Sequence, residues 1–375
     1  MRTTALLAAA LAVLPACSRG QGPNPEPKAE PAATLKVGDP APPLTVSKWV
    51  KGGPVAGFEP GKVYVVEFWA TWCGPCLQTM PHLNVLAAEH NDAGLRVLAV
   101  TTRDEEGNTL AAVTDFVTAG KGAKYAFPFA FCDTQATYDA YMRASGQDGI
   151  PASFVVDRAG KLAFIGHPLE LDEVLPRVLA GTWRGQPDLD DIKAGADELA
   201  GLLAKIEGAV DRAKGGGEKA MRDAAAAASA EVLTALPAFE AKRPQKAKLD
   251  AYVMQKMLLQ MHARRLDEAR ATGEALLARA TARGDAAVAN EVRYFWADKG
   301  ANPERKHVDL AVRAADEVLK LEGDAELGAV LAAAQAYYAA GKKPEADALA
   351  DKARKLATDP KLKEPVEKKL KEFQE

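Results

Sequence analysis

The run Cys73-Gly74-Pro75-Cys76 places two thiols two residues apart. At the start of a helix, cysteines at that spacing can close a small disulfide ring and reopen it, which is the chemistry of thiol–disulfide exchange. Leu77, Met80, Leu83, Leu86 and Ala87 follow at helical spacing, and Pro75 falls in the first turn, where its missing N–H costs little. Cys73 then lies beside the unpaired N–H groups and positive end of the helix, which favour its thiolate. It is the candidate nucleophile toward a substrate disulfide. Cys76, one turn further in, is the thiol that attacks Cys73 and releases the reduced substrate. Trp72 would shield one side of the pair. A structural disulfide is the competing use of the two cysteines. A zinc site would need a second pair at matching spacing, and the sequence has none, so neither a metal nor a bound cofactor is expected.

The elements around the pair read clearly. Val63-Tyr64-Val65-Val66-Glu67-Phe68-Trp69 is a nearly continuous apolar run, which suits a central strand covered on both faces. Glu67 interrupts it. A carboxylate buried there is costly and should carry a raised pKa or a partner, unless it turns to a solvated edge. Further strands are expected at Arg96–Thr101, Phe127–Phe131, Ala152–Asp157 and Leu162–Ile165, alternating with helices at Leu110–Thr118, Thr134–Ala144 and Leu171–Leu179. The alternation implies an α/β sandwich around a mixed sheet, spanning 35–183.

Residues 67–76 (Glu-Phe-Trp-Ala-Thr-Trp-Cys-Gly-Pro-Cys), with Pro81 after them and Gly149-Ile150-Pro151-Ala152-Ser153-Phe154 downstream, resemble a thioredoxin-fold thiol-disulfide oxidoreductase. The lead-in Val37-Gly38-Asp39-Pro40-Ala41-Pro42 and the stretch from Phe127 to Ile150 make it similar to the TlpA-like envelope branch. The resemblance implies a proton relay at Glu67 for the second cysteine, although thioredoxins usually carry Asp there. It also implies a cis Ile150–Pro151 bond beside which an extended substrate pairs, with Trp72, Gly74, Pro75, Ile150 and Pro151 against the substrate. It further implies protein disulfides as substrates and a membrane electron donor. The Gly74-Pro75 dipeptide matches that of reducing thioredoxins, with an oxidant or isomerase as the further possibility. Cys132 ends an apolar run and reads as a small buried hydrophobe. His82, His90 and His167 show no ligand spacing.

The rest of the chain differs in kind. Among 375 residues, 48 Lys and Arg against 51 Asp and Glu give a net charge of −3, which excludes a whole-chain basic field for nucleic acid. Ala5 to Ala16 is apolar but too short to span a bilayer, and reads as the core of an export signal. Leu14-Pro15-Ala16-Cys17 resembles a lipoprotein box, which implies signal residues 1–16 and lipid attachment at Cys17. Ser18 leans toward the outer membrane of the bacterial envelope, with the folded chain facing the periplasm. Residues 17–34, rich in Pro and Gly, form a tether.

From 184 to 375 the chain turns to Ala, Leu, Lys, Glu and Arg, the strong helix formers, and cysteine disappears. Ala334, Tyr337, Gly341, Ala346, Ala350 and Ala353 fall at the spacing of a tetratricopeptide helix pair, with Ala311 and Ala315 aligning one repeat earlier. A tetratricopeptide-like all-α array is expected, its protein partner unnamed. Met254, Met257, Leu258 and Met261 form a stripe read as core. The opposing class of function is an envelope scaffold or chaperone-like binding protein that uses these helices without turnover.

Overall fold

The computed structural model describes residues 34–374. The expected signal, Cys17 and the tether up to its last residue lie outside the described residues. Val63 to Phe68 are each at most 2% exposed, as a strand covered on both faces must be. This strand, β2 (Val63–Phe68), lies inside a six-stranded sheet with β1 (Lys48–Lys51), β3 (Leu95–Thr102), β4 (Phe129–Cys132), β5 (Ala152–Val156) and β6 (Leu162–Gly166). The order is β1-β4-β3-β2-β5-β6. Strands β2, β3 and β4 run parallel, whereas β1, β5 and β6 each pair antiparallel. Helices α1 (Gly74–Glu89) and α2 (Leu110–Thr118) make the parallel crossovers, and α3 (Leu171–Leu179) follows β6.

Alternation along β2 divides the core in two. Val63, Val65 and Trp69 join a cluster with Met80, Leu83 and Leu86 of α1 and with Leu171, Val174 and Leu175 of α3. Tyr64, Val66 and Phe68 face the other way, toward Tyr141, Met142 and Phe154. The sequence reading missed β1, whose four residues lie at an edge. There the Lys51 ammonium donates to the carbonyls of Ala123 and Tyr125, each at 2.6 Å.

The helix expected over Thr134–Ala144 is only one α-turn, Ala136–Tyr138, running into a π-helix over Asp139–Arg143. The wider turn lets the adjacent Tyr141 and Met142 both reach the core, each 0% exposed.

The described chain forms two compact units that divide between Lys193 and Ala194. That lies about ten residues past the composition change at 184, within helix α4 (Gln186–Ala213). The second unit is all helical, with α5 (Gly217–Lys242), α6 (Asp250–His262), α7 (Leu266–Arg283), α8 (Ala286–Ala297), α9 (Val308–Glu322), α10 (Leu327–Ala339), α11 (Lys343–Leu356) and α12 (Pro360–Gln374). Small residues fill its helix contacts: Ala311, Ala315, Ala334, Ala346, Ala350 and Ala353 are all 0% exposed. Met254, Met257, Leu258 and Met261 belong to its core. Among the described residues no helix is long and apolar enough to cross a membrane.

Candidate active site

The chain leaves the C-terminal end of β2 through Trp69 to Trp72 and turns directly into α1. Cys73 is the N-cap of that helix: its φ of −74° and ψ of 93° are extended, and its Sγ accepts the N–H of Cys76 at 3.2 Å. Cys73 and Cys76 form a disulfide with Cα atoms 5.3 Å apart. In the dithiol, the same N–H and the helix end would stabilise a Cys73 thiolate. Both cysteines are buried, Cys73 at 3% and Cys76 at 1% exposure. Gly74 and Pro75 between them are exposed. The Ile150–Pro151 bond is cis, and the Ile150 carbonyl oxygen lies 3.7 Å from Cys73 Sγ. The two segments that the sequence singled out, 72–76 and 150–151, therefore meet at Cys73 Sγ through the Cys76 N–H and the Ile150 carbonyl.

Glu67 is 1% exposed and does not turn to a solvated edge. Its place in β2 puts it on the face of Val65 and Trp69, the face against which Cys73 and Cys76 pack. It is paired in register with Ser153 of β5, whose hydroxyl donates to Glu67 Oε2. The other carboxyl oxygen, Oε1, has no hydrogen-bond partner among the described residues. Burial pushes the Glu67 carboxyl up to about 8, with the Ser153 hydrogen bond opposing that rise. Near pH 8 the group is poised to gain or lose a proton on the face of the sheet that carries the disulfide.

Two residues that sequence reasoning gave no role, Asp104 and Asn108, hold the loop in front of the pair. The Trp72 indole N–H donates to Asp104 Oδ2 at 2.7 Å, although the side chain is 48% exposed. Asp104 Oδ1 accepts the backbone N–H groups of Glu106 and Asn108. Asn108, fully buried, accepts from the Thr71 N–H at 3.0 Å and donates to Thr101 Oγ1 and the Thr102 carbonyl. Ser153, likewise given no role, holds Glu67 instead. Asp104 and Asn108 stand in a polar loop, and Ser153 in a strand, so spacing carried no signal of their roles.

Cys132 is 0% exposed at the end of β4, as a small hydrophobe would be. His82 pairs with Asp172 at 2.9 Å, and His167 caps the short turn Pro168–Glu170. Among the described residues no group of three His, Cys, Asp or Glu side chains is placed to hold a metal ion.

Residues 36–172 match the Redoxin family model. Protein FixW of Rhizobium leguminosarum is 33% identical over 160 residues, covering 41% of this chain and 70% of that protein. Thiol-disulfide oxidoreductase ResA of Bacillus thuringiensis is 33% identical over 102 residues, 27% of this chain, which spans about half (53%) of that relative's length. Among solved structures, a thiol:disulfide interchange protein of the thioredoxin family from Chlorobium tepidum is 23% identical, with a TM-score of 0.30, covering 38% of this chain and 96% of that one. The family model falls on the residues that carry Cys73, Cys76 and Glu67, and with the likeness to FixW and ResA the chain belongs to the redoxin family, among the thioredoxin-fold thiol-disulfide oxidoreductases.

Proposed function

We propose that this protein reduces disulfides of other proteins in the bacterial envelope, through the Cys73–Cys76 pair and without a bound cofactor. The observation that carries the reading is Cys73 at the helix N-cap, its sulfur receiving the Cys76 N–H beside the Ile150 carbonyl. In the dithiol state the Cys73 thiolate attacks one sulfur of a substrate disulfide, forming a mixed disulfide and expelling the other sulfur as a thiolate. Cys76, losing its proton, then attacks Cys73 Sγ. The Cys73–Cys76 disulfide forms, and the second substrate sulfur leaves as a thiolate. Two electrons have passed to the substrate. Glu67 takes the Cys76 proton, directly or through water, once its own carboxyl has ionised, which its raised pKa of about 8 places just above neutrality. Trp72, Gly74, Pro75, Ile150 and Pro151 form the surface against which the substrate lies. A dithiol-bearing membrane partner returns the two electrons.

The anchor and the second unit belong to the same reading. A lipid on Cys17 would hold the protein at the membrane, the outer one by the residue that follows, facing the periplasm. The tetratricopeptide-like helices would bind a protein partner. Cys17→Ser should then shift the protein from the membrane to the soluble envelope fraction, and unchanged fractionation would remove the anchor from the reading.

The core reading is tested by insulin-disulfide reduction with the full chain and dithiothreitol. Turnover that disappears in Cys73→Ser is expected. Absence of turnover in the unaltered protein would leave the scaffold or chaperone-like alternative. Mixed disulfides trapped on Cys76→Ser would identify the substrates.

A further inference from the structure

A cleft of about 620 Å³ opens beside the disulfide, with Trp72 and Ile150 in its wall. Ile150 is the residue whose carbonyl stands over Cys73 Sγ, so anything bound in the cleft is continuous with the reacting sulfur. Phe68, Tyr138 and Ile150 line its apolar part, and the remainder mixes uncharged residues with six charged side chains.

Those charges are unbalanced. Two arginines border the cleft, and both are already committed to carboxylates outside its lining: Arg103 to Asp133 at 2.7 Å and Arg143 to Asp139 at 2.6 Å. Asp104 is held by the Trp72 indole and by backbone N–H groups, which leaves its charge in place. Glu105, Glu106 and Asp148 line the cleft, are exposed, and have no ion-pair partner among the described residues. The cleft therefore presents uncompensated negative charge at the rim of an apolar wall. Lys and Arg side chains match that combination, because their methylene stems cover apolar surface while the charged head reaches outward. The volume is in the ordinary range for a recognition pocket, roughly 300–1,000 Å³.

Resting on the oxidoreductase reading above, we propose that this cleft is a specificity subsite for a lysine or arginine flanking the target cysteine of the substrate polypeptide, with Glu105, Glu106 and Asp148 setting the preference. Opposite charge across an interface speeds encounter and fixes register, and like charge is rejected. Acidic sequences beside a disulfide are therefore poor substrates.

The test uses the pre-reduced full chain in single turnover against two synthetic peptides. Each carries one intramolecular disulfide, and they differ only in Lys or Glu beside the first cysteine. Loss of the peptide disulfide is followed by mass spectrometry after acid quench. At low ionic strength the Lys peptide should react about tenfold faster, and the ratio should shrink toward one in high salt, as screening requires. In the variant carrying Glu105→Gln, Glu106→Gln and Asp148→Asn the ratio should fall to about two or less. Glu105→Lys with Glu106→Lys should reverse it. Equal rates for the two peptides on the unaltered protein, or a ratio untouched by these substitutions, would overturn the subsite and leave the oxidoreductase reading standing. If neither peptide nor insulin is reduced, both fall together.

Discussion

Glu67 places a titrating group where water cannot reach it, and that has two measurable sides. Below the ordinary carboxyl value near 4.5 both folded and unfolded chains hold the proton. Between there and about 8 only the folded chain does. The contribution is fully present at low pH and is lost as pH rises through about 8, with a slope of at most about 1.4 kcal/mol per pH unit. Glu67→Gln keeps the length and a hydrogen-bonding group for Ser153 but cannot titrate. Urea denaturation of the oxidised protein from pH 5 to 8 should show a decline in the native chain and a flatter profile in the variant. The same substitution should slow release from the mixed disulfide near neutral pH more than its formation, read by quenched-flow thiol trapping. Equal slowing of both steps would leave Glu67 only a structural role. Its position was legible in the sequence because a lone acid interrupts an apolar run. Its partner was not: Ser153 meets it only through the antiparallel register of β2 and β5.

At the scale of elements, the start of α1 decides how strongly the Cys73 thiolate is favoured. One N–H reaches the sulfur, and no Lys or Arg occurs between Val63 and Glu89, the span of β2 and α1. Weak stabilisation of the thiolate makes a reducing couple, so the potential should lie nearer about −270 mV than about −180 mV. A dithiothreitol equilibrium titration measures it, and a value above about −180 mV would make the protein an oxidant or isomerase. The loop after β3 carries a second expectation. Asn108→Ala strips the Thr71 N–H and the Thr102 carbonyl of their partner, and should lower stability by about 2–4 kcal/mol in chemical denaturation. Strands with long apolar runs were readable from residue type alone. The edge strand β1 was too short for alternation to register, and the π-turn at Asp139–Arg143 has no period that distinguishes it from an ordinary helix.

For the whole molecule, the change in composition at 184 marks where helix formers begin, but it is not where the first core ends. Leu189 and Ile192 of α4 pack into the cluster that holds the disulfide, and Ile192 is 7% exposed. Asp188 accepts hydrogen bonds from Arg177 and Arg184, and these hold its carboxyl below the usual range, the Arg184 hydrogen bond most of all. The acidic start of this helix resembles a solvated one, which hid its role from sequence reading. A fragment spanning 34–183 should therefore be less stable than one spanning 34–193, by roughly 2–4 kcal/mol from the apolar burial alone. Thermal denaturation of the two fragments compares them directly, and equal midpoints would show that the helix start adds nothing to this core.

Trp72, half in solvent with its indole N–H tied to Asp104, is bonded in sequence to Cys73. An excited indole held next to a disulfide loses its energy by electron transfer to sulfur–sulfur antibonding orbitals, and a dithiol accepts that electron less readily. Reduction of the pair should therefore brighten the emission of Trp72, together with that of Trp69, which is buried in the same cluster as the two cysteines. The protein would carry its own optical gauge of electron loading. Trp72→Phe should remove the Trp72 share of the change in brightness and leave that of Trp69, and Asp104→Asn, which weakens the acceptor, should blunt the Trp72 share.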